Sequence, residues 1–125
     1  MTNEAEALEV ARAYHRAWST RDLDAVGDHL SEELTIEVPI NAYPGKPEFL
    51  EAVHRTAEMA RSVKVLSELG GRGEAMLLYD LELPKVGVLR VAEHFTVRGG
   101  RITRIRHIHD TAALRAAGFE RRREG

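Results

Sequence analysis

The stretch that most constrains the fold runs from Val86 to Asp110, VGVLRVAEHFTVRGGRITRIRHIHD. Two long runs of alternating side chains flank Gly99-Gly100, a dipeptide that tolerates positive φ and suits a tight turn between antiparallel strands. The stretch therefore predicts a β-hairpin. Because side chains alternate across a strand with a period of two, each arm presents one set of residues to each face of the sheet.

One face of the first arm is apolar except for a single carboxylate, Glu93. The members of that face are Leu89, Val91, Glu93, Phe95 and Val97. In the second arm two sets alternate: Thr103, Ile105, His107 and His109 against Ile102, Arg104, Arg106 and Ile108. A lone ionisable group on an apolar face either has a buried partner or lines a cavity where its proton is used. Glu93 is therefore the first candidate functional residue, and a salt-bridged core carboxylate is the alternative.

Composition excludes several classes of function. The chain has 125 residues, 43% of them hydrophobic and 30% charged, with a formal net charge of −2. This length predicts one domain over residues 1–125 with a basic tail at 120–125, and the balance of charges gives no electrostatic case for nucleic acid or membrane as a partner. There are no cysteines, which excludes disulfides and thiolate metal sites. The acidic start lacks the basic and apolar regions of a signal peptide, so we expect a cytoplasmic protein.

Three helices are predicted before the sheet. Asn3 to Ser19 carries an apolar stripe at helical spacing that includes Tyr14 and Trp18, and Thr2 or Asn3 can cap it. A shorter helix is predicted over Leu23 to Leu30. A third, over Pro47 to Arg61, begins at a proline that suits the first helical turn.

The remaining chain predicts mainly antiparallel strands. Leu34 to Ile40 precedes the third helix, and Val63 to Leu69 and Ala75 to Leu83 follow it. After the hairpin, Asp110 is predicted to cap a short closing helix over Thr111 to Ala117, with Gly118 as its stop. The order predicts an α+β domain with helices on one face of a curved sheet.

Three segments carry a family resemblance: AYHRAWSTRDLDAVGDHL, TIEVPINAYPGKPEF and EHFTVRGGRITRIRHIHD. Together with the element order, they resemble the nuclear-transport-factor-2-like superfamily, and within it the SnoaL-like and ketosteroid-isomerase-like proteins. The resemblance covers about residues 5–119, which are the expected domain core, and implies a cone-shaped, curved, mainly antiparallel sheet packed on three N-terminal helices and enclosing a pocket. It does not imply one reaction, because this fold hosts isomerases, dehydratases, epoxide hydrolases, cyclases and non-catalytic binders.

Resemblance to the ketosteroid isomerases implies two oxyanion-stabilising residues. Tyr14 in AYHRAWSTRDL matches their tyrosine, and Glu93 in Glu93-His94-Phe95 matches their acid. Their general base is an aspartate before a proline, and that position holds Val38, before Pro39. Steroid isomerisation by that route is therefore not expected.

Resemblance to the limonene epoxide hydrolases implies a role for Asp80. Their arginine two residues earlier is replaced by Leu78, and their last-strand aspartate by His107 in Ile105-Arg106-His107. Epoxide hydrolysis is therefore a weaker alternative. Periodicity leaves open whether Asp80 or Tyr79 points inward, and the resemblance favours Asp80.

The candidate catalytic residues are Glu93, His107, Tyr14 and Asp80. Burial raises a carboxyl pKa, so Glu93 could be neutral and donate a hydrogen bond. His107 beside it would move a proton, with Asp80 orienting the imidazole. Substrate contacts are expected from residues on the cavity face and near its mouth: Trp18, Val38, Tyr43, Leu78, Val91, Phe95, Ile105 and His109.

A cofactor and a metal are not expected. The His107-x-His109-Asp110 spacing alone is a common coincidence, and Asp110 is better explained as a helix cap. Homodimerisation is expected through the outer sheet face, where arginines alternate with Ile102 and Ile108, although a solvated face fits nearly as well.

Two functions fit these residues. The first is a cofactor-independent isomerase, cyclase or dehydratase that uses general acid/base chemistry on a hydrophobic, carbonyl-containing small molecule. The second is a small-molecule-binding or accessory protein with the same cone and no turnover.

Overall fold

A computed structural model describes residues 4–118 of the chain. The helices and strands follow one another as α1 (Glu4–Ser19), α2 (Leu23–Val26), a 3-10 turn (Gly27–His29), β1 (Leu30–Glu37), α3 (Lys46–Met59), β2 (Ser62–Gly71), β3 (Glu74–Leu83), β4 (Gly87–Arg98), β5 (Arg101–Ile108) and α4 (Ala112–Ala116). The predicted basic tail and the predicted caps Thr2 and Asn3 lie outside the described residues. No helix within residues 4–118 is long and apolar enough to cross a membrane.

The strands form one open five-stranded sheet in the order β1-β5-β4-β3-β2. β1 pairs parallel with β5, and the other pairs are antiparallel. α1 packs across the sheet, α3 packs against β1, and Leu114 of α4 belongs to the same core, so the predicted α+β architecture is confirmed. The core between these layers contains Phe49, Phe95, Leu77, Ile102 and Ile105, each nearly inaccessible to solvent.

The hairpin of β4 and β5 turns at Gly99 and Gly100, as predicted. Their φ angles are 58° and 77°. Positive φ at both central residues gives the turn a twist that matches the twist of the strands it joins. The turn therefore fixes which residues of β5 pair with which residues of β4.

A β-bulge at Thr103 corrects one predicted face. Val97 pairs with Ile102 and Thr96 with Arg104, so Thr103 is an extra residue on β5. The extra residue reverses the alternation of side chains at that point. Ile102 therefore lies in the core, fully buried, and its predicted position on the outer face with Ile108 is wrong.

The second predicted helix is also too long. It ends at Val26, and Leu30 begins β1 by pairing with Ile102. Gly27 and Asp28 are poor helix formers, and burying Leu30 in the sheet decides the conformation. β1 consequently spans Leu30–Glu37 rather than the predicted Leu34 to Ile40.

The closing helix is one residue shorter at each end than predicted. Its assigned N-cap is Thr111, but the Asp110 carboxylate accepts a hydrogen bond from the Ala112 N–H at 2.9 Å. Asp110 therefore satisfies one of the free N–H groups at the start of α4. Gly118 follows the helix with φ 95°, as the predicted stop requires.

Candidate functional site in the cavity between sheet and helices

A cavity of about 220 Å³ lies between the inner sheet face and the helices. Its wall is mostly apolar, with a small set of polar groups. The lining residues are Tyr14, Trp18, Val38, Ile40, Asn41, Tyr43, Phe49, Ala52, Val53, Arg55, Thr56, Met59, Tyr79, Leu81, Leu83, Leu89, Val91, Glu93, His107, His109 and Leu114. An apolar wall with few convergent polar groups is typical of a small-molecule site.

Glu93 lies in the cavity wall, where the alternation of β4 predicted it. Its side chain is 1% exposed. One carboxylate oxygen, Oε1, accepts a hydrogen bond from the Tyr79 hydroxyl at 2.9 Å. The other, Oε2, accepts one from Nε2 of His107 at 2.7 Å. Both oxygens therefore already have a donor within the protein.

The pairing of β4 with β5 brings His107 to Glu93. The two residues lie directly opposite each other in the antiparallel register, where side chains on one face approach closely. The His107 side chain is 21% exposed and lines the cavity. Within residues 4–118 no hydrogen bond involves its second ring nitrogen, Nδ1.

The protonation of Glu93, left open by the sequence, depends on its neighbours. Burial raises the pKa of Glu93, but interaction with His107 lowers it, and His15 and the Tyr79 hydroxyl lower it as well. Together these interactions outweigh burial, so the net shift of the pKa is downward. Glu93 is thus a carboxylate near neutral pH. As an anion with both oxygens occupied it accepts hydrogen bonds and does not supply the donor of an oxyanion hole.

Tyr79, not Asp80, faces the cavity. Tyr79 pairs with Val91 and is 3% exposed. Asp80 pairs with Arg90 on the outer face, where the guanidinium donates to both carboxylate oxygens at 2.8 and 3.0 Å. The predicted Asp80–His107 dyad is therefore wrong, because the two residues lie on opposite faces of the sheet.

Two tyrosines bring hydroxyl groups to the site. Burial and the nearby Glu93 carboxylate raise the pKa of Tyr14 and of Tyr79 well above the ordinary value, so both stay protonated. The Tyr79 hydroxyl donates its hydrogen bond to Glu93. The Tyr14 ring packs edge-on against Phe95 at a centroid distance of 5.8 Å, and its hydroxyl makes no hydrogen bond within residues 4–118.

Five of the eight predicted substrate contacts line the cavity: Trp18, Val38, Tyr43, Val91 and His109. The other three do not. Leu78 lies on the outer face beside Asp80, because it pairs with Ala92. Phe95 and Ile105 are fully buried and pair with each other below the cavity.

His109 lines the cavity near the end of β5. Its Nδ1 donates a hydrogen bond to the Asp110 carbonyl oxygen at 3.0 Å. Burial lowers its pKa, so the ring is neutral near pH 7. No group of three or more histidine, aspartate or glutamate side chains within the described part of the chain could hold a metal ion.

Several lining residues were missed from the sequence. Leu81 and Leu83 lie on the same face of β3 as Tyr79, and Leu89 lies on the face of β4 that carries Glu93. On α3, Arg55 and Thr56 lie beside the predicted buried stripe, so helical spacing gave only a weak signal for them. His15 was also missed, although it does not line the cavity: it is buried at 6% exposure, with its ring edge-on to two lining residues, Trp18 at 5.0 Å and Tyr79 at 4.8 Å.

Comparison with known proteins gives a family and a fold. The SnoaL-like domain family matches residues 11–105. A crystal structure of a protein from Kribbella flavida is 35% identical, with a TM-score of 0.81 over 89% of this chain and 92% of that one. No curated protein matches the chain significantly.

Two more distant crystal structures share the fold. The first is an epoxide hydrolase from M. tuberculosis that is described as similar to the limonene epoxide hydrolases. It is 20% identical to this chain, with a TM-score of 0.74 over 90% of this chain and 89% of that one. A steroid delta-isomerase from Pseudomonas aeruginosa is 17% identical, with a TM-score of 0.76 over 93% and 88%. The predicted cone-shaped sheet with helices on one face is confirmed by these likenesses.

Proposed function

Because this chain belongs to the SnoaL-like domain family, we propose that its cavity binds a small, largely apolar carbonyl compound and that His107 transfers a proton on it. The observation that carries the proposal is the chain of hydrogen bonds from Tyr79 through Glu93 to His107 at the wall of the cavity. A histidine held by a buried carboxylate is a frequent arrangement for proton transfer near neutral pH.

The roles follow from the hydrogen bonds. Nε2–H of His107 donates to Glu93, so the lone pair of a neutral imidazole lies on Nδ1. That nitrogen would accept a proton from the carbon next to the carbonyl, while the bonding electron pair moves to the carbonyl oxygen. Glu93 is then a positioning residue, which fixes the tautomer of the ring and stabilises the imidazolium that forms.

The developing oxyanion needs a donor, and Tyr14 fits that role better than Glu93. Its hydroxyl is protonated, has no hydrogen-bond partner within residues 4–118 and belongs to a residue in the cavity wall. A donor in a water-poor site stabilises a developing negative charge more strongly than one in water. Return of the proton from His107 to a different carbon would complete an isomerisation, and its delivery to a leaving hydroxyl would complete a dehydration.

The test is exchange of α-protons in D2O, followed by proton NMR with cyclohexanone, 1-indanone and 2-tetralone as probes. We expect the wild-type protein to accelerate exchange of at least one ketone, and His107→Gln to lose at least about tenfold of that acceleration. Asp80→Asn is the matched control, since it changes an acid on the outer face and should leave the rate unchanged. Equal rates in wild type and His107→Gln would overturn the proposed role of His107.

Binding without turnover is the second candidate. The observation that favours it is the apolar character of Val38 and Leu78, where the two resembled enzyme groups carry a base and an arginine. It predicts that ketones shift the Trp18 and His107 NMR signals while no ketone exchanges faster than in buffer. Acceleration of exchange by the wild type excludes it.

We also propose that the outer sheet face forms a homodimer. Leu78, Ala92 and Ile108 are direct neighbours across β3, β4 and β5 on that face, and Ile108 is 66% exposed. A row of apolar side chains with arginines beside it is typical of a subunit interface. Sedimentation equilibrium should give a dimer for wild type and a monomer for Ile108→Asp. The control variant Ala113→Asp, at an exposed position of α4, should remain a dimer. A monomeric wild type contradicts the proposal.

A further inference from the structure

Two residues of α3 mark where the cavity wall reaches solvent. Arg55 and Met59 are the two lining residues that are exposed to solvent within the described part of the chain. They are four residues apart on one helix and therefore lie on the same side of it. A ligand that enters between them meets a guanidinium and a thioether first and the apolar chamber behind them.

Arg55 has no acidic partner in the described structure. Within residues 4–118 no carboxylate oxygen lies within 4.0 Å of its guanidinium, as is true of most arginines in the described part of the chain; Arg12, Arg90 and Arg106 are the ones that do have such a partner. Glu51 and Glu58 lie one turn away on α3, but neither lines the cavity. The positive charge at the opening is therefore available to a ligand.

We infer that the natural ligand is an apolar small molecule that carries a carboxylate, with its apolar body in the chamber and its carboxylate bound by Arg55 at the opening. This inference rests on the proposed function, because it assumes that the cavity binds a small molecule. It adds the chemical class of that molecule and the residue that selects it.

The charges of the cavity fix which way the ligand lies. Glu93, deep in the wall, would repel a second carboxylate, and its oxygens already accept hydrogen bonds from Tyr79 and from His107 at 2.9 and 2.7 Å. His109 is neutral because burial lowers its pKa. Arg55 is the arginine of the cavity wall, so the acid end of a ligand is favoured at the opening and its uncharged carbonyl end beside Glu93 and His107. A guanidinium is also suited to a carboxylate because it can donate two parallel hydrogen bonds.

The test compares acids with their uncharged amides. The probes are 1-naphthylacetate and 1-naphthylacetamide, titrated into wild type, Arg55→Gln, Arg55→Lys and Arg16→Gln at pH 7. Binding is followed by NMR of the Trp18 indole and the His107 ring, since Trp18 is the single tryptophan of the chain and both side chains line the cavity. Arg16, exposed on α1 and absent from the cavity wall, gives the matched loss of one positive charge.

We expect wild type to bind the acid more tightly than the amide. Arg55→Gln should lower the affinity for the acid by about fivefold, the usual contribution of an ion pair near the surface. The amide should bind all four proteins alike, and Arg55→Lys should retain part of the preference. Raising the salt concentration should reduce the preference in wild type.

Two other outcomes separate the failures. If acid and amide bind equally and Arg55→Gln changes neither, the inference about Arg55 is overturned while the cavity remains a ligand site. If neither probe shifts the Trp18 or His107 signals, the cavity does not take an apolar ligand, and the proposed function falls together with the inference.

Discussion

Glu93 and His107 lie opposite each other on β4 and β5, with Oε2 and Nε2 2.7 Å apart and the carboxylate 1% exposed. Breaking a buried pair of this kind leaves one polar group without a partner, which costs more than the intact pair contributes. The pair therefore couples the stability of the sheet to the chemistry of the cavity wall.

A double-mutant cycle measures that coupling. We expect Glu93→Gln and His107→Gln each to lower the free energy of unfolding by about 2 to 4 kcal/mol, because each leaves the other residue with a poorer partner. The double variant should lose at least about 1 kcal/mol less than the sum of the two. Urea titration at pH 7 gives these values, and strictly additive losses would show that the two side chains do not interact.

Acid should remove the contribution of the Glu93 carboxylate. The folded-state pKa of Glu93 lies below its ordinary value of 4.5, so the folded protein holds that proton less strongly than the unfolded chain does. The resulting stability is present above pH 4.5 and is lost as the pH falls through the lower folded value. Below pH 4.5 the free energy of unfolding should therefore fall more steeply in wild type than in Glu93→Gln, as measured by urea titrations at several pH values. Parallel curves would contradict the downward shift.

The protonation of His15 should lower the stability of the protein in a different pH range. Burial lowers its pKa from the ordinary value of 6.5, although Glu93 and Glu68 oppose that shift. The unfolded chain therefore takes up this proton first, and the stability that depends on a neutral His15 is lost as the pH falls below 6.5. An NMR titration of the histidine rings should give His15 a midpoint below 6.5. A midpoint at or above 6.5 would mean that the buried ring has a partner for its proton.

Asp80→Asn should not affect the cavity. The Asp80 carboxylate pairs with Arg90 on the outer face, and this hydrogen-bonded pair lowers its pKa. We expect unchanged binding of 1-naphthylacetate and a small loss of stability that disappears at high salt, because exposed ion pairs are screened. Tyr79→Phe is the informative comparison, since the neighbouring residue does face the cavity and its loss should alter the His107 NMR signal. A binding defect in Asp80→Asn would reverse the assignment of faces.

The sequence predicted those features that depend on local order along the chain. The period-two alternation of β4 placed Glu93 on the inner face, and Gly99-Gly100 fixed a turn that brings His107 across from it. Both signals are short-range, because alternation and turn conformation depend on neighbouring residues. The helices that contain Tyr14 and Phe49, α1 and α3, were likewise predicted from the helical spacing of their apolar residues.

Other features needed the neighbouring strands. Both faces of β3 are apolar, so its alternation fits Tyr79 or Asp80 inward equally well, and only pairing with β4 selects Tyr79. The bulge at Thr103 places Ile102 inside because Val97 and Leu30 lie beside it in the sheet. Neither register is encoded within a single strand.

The sequence by itself thus determined that this chain forms a helix-backed sheet with one carboxylate on its apolar face. Only the tertiary structure decided the state of that carboxylate, because a pKa depends on the charges that folding brings near it. Burial alone favours a neutral Glu93, whereas His107 and Tyr79, distant in sequence and adjacent in space, favour the anion. The rim of the cavity at Arg55 likewise exists only where α3 packs over the sheet.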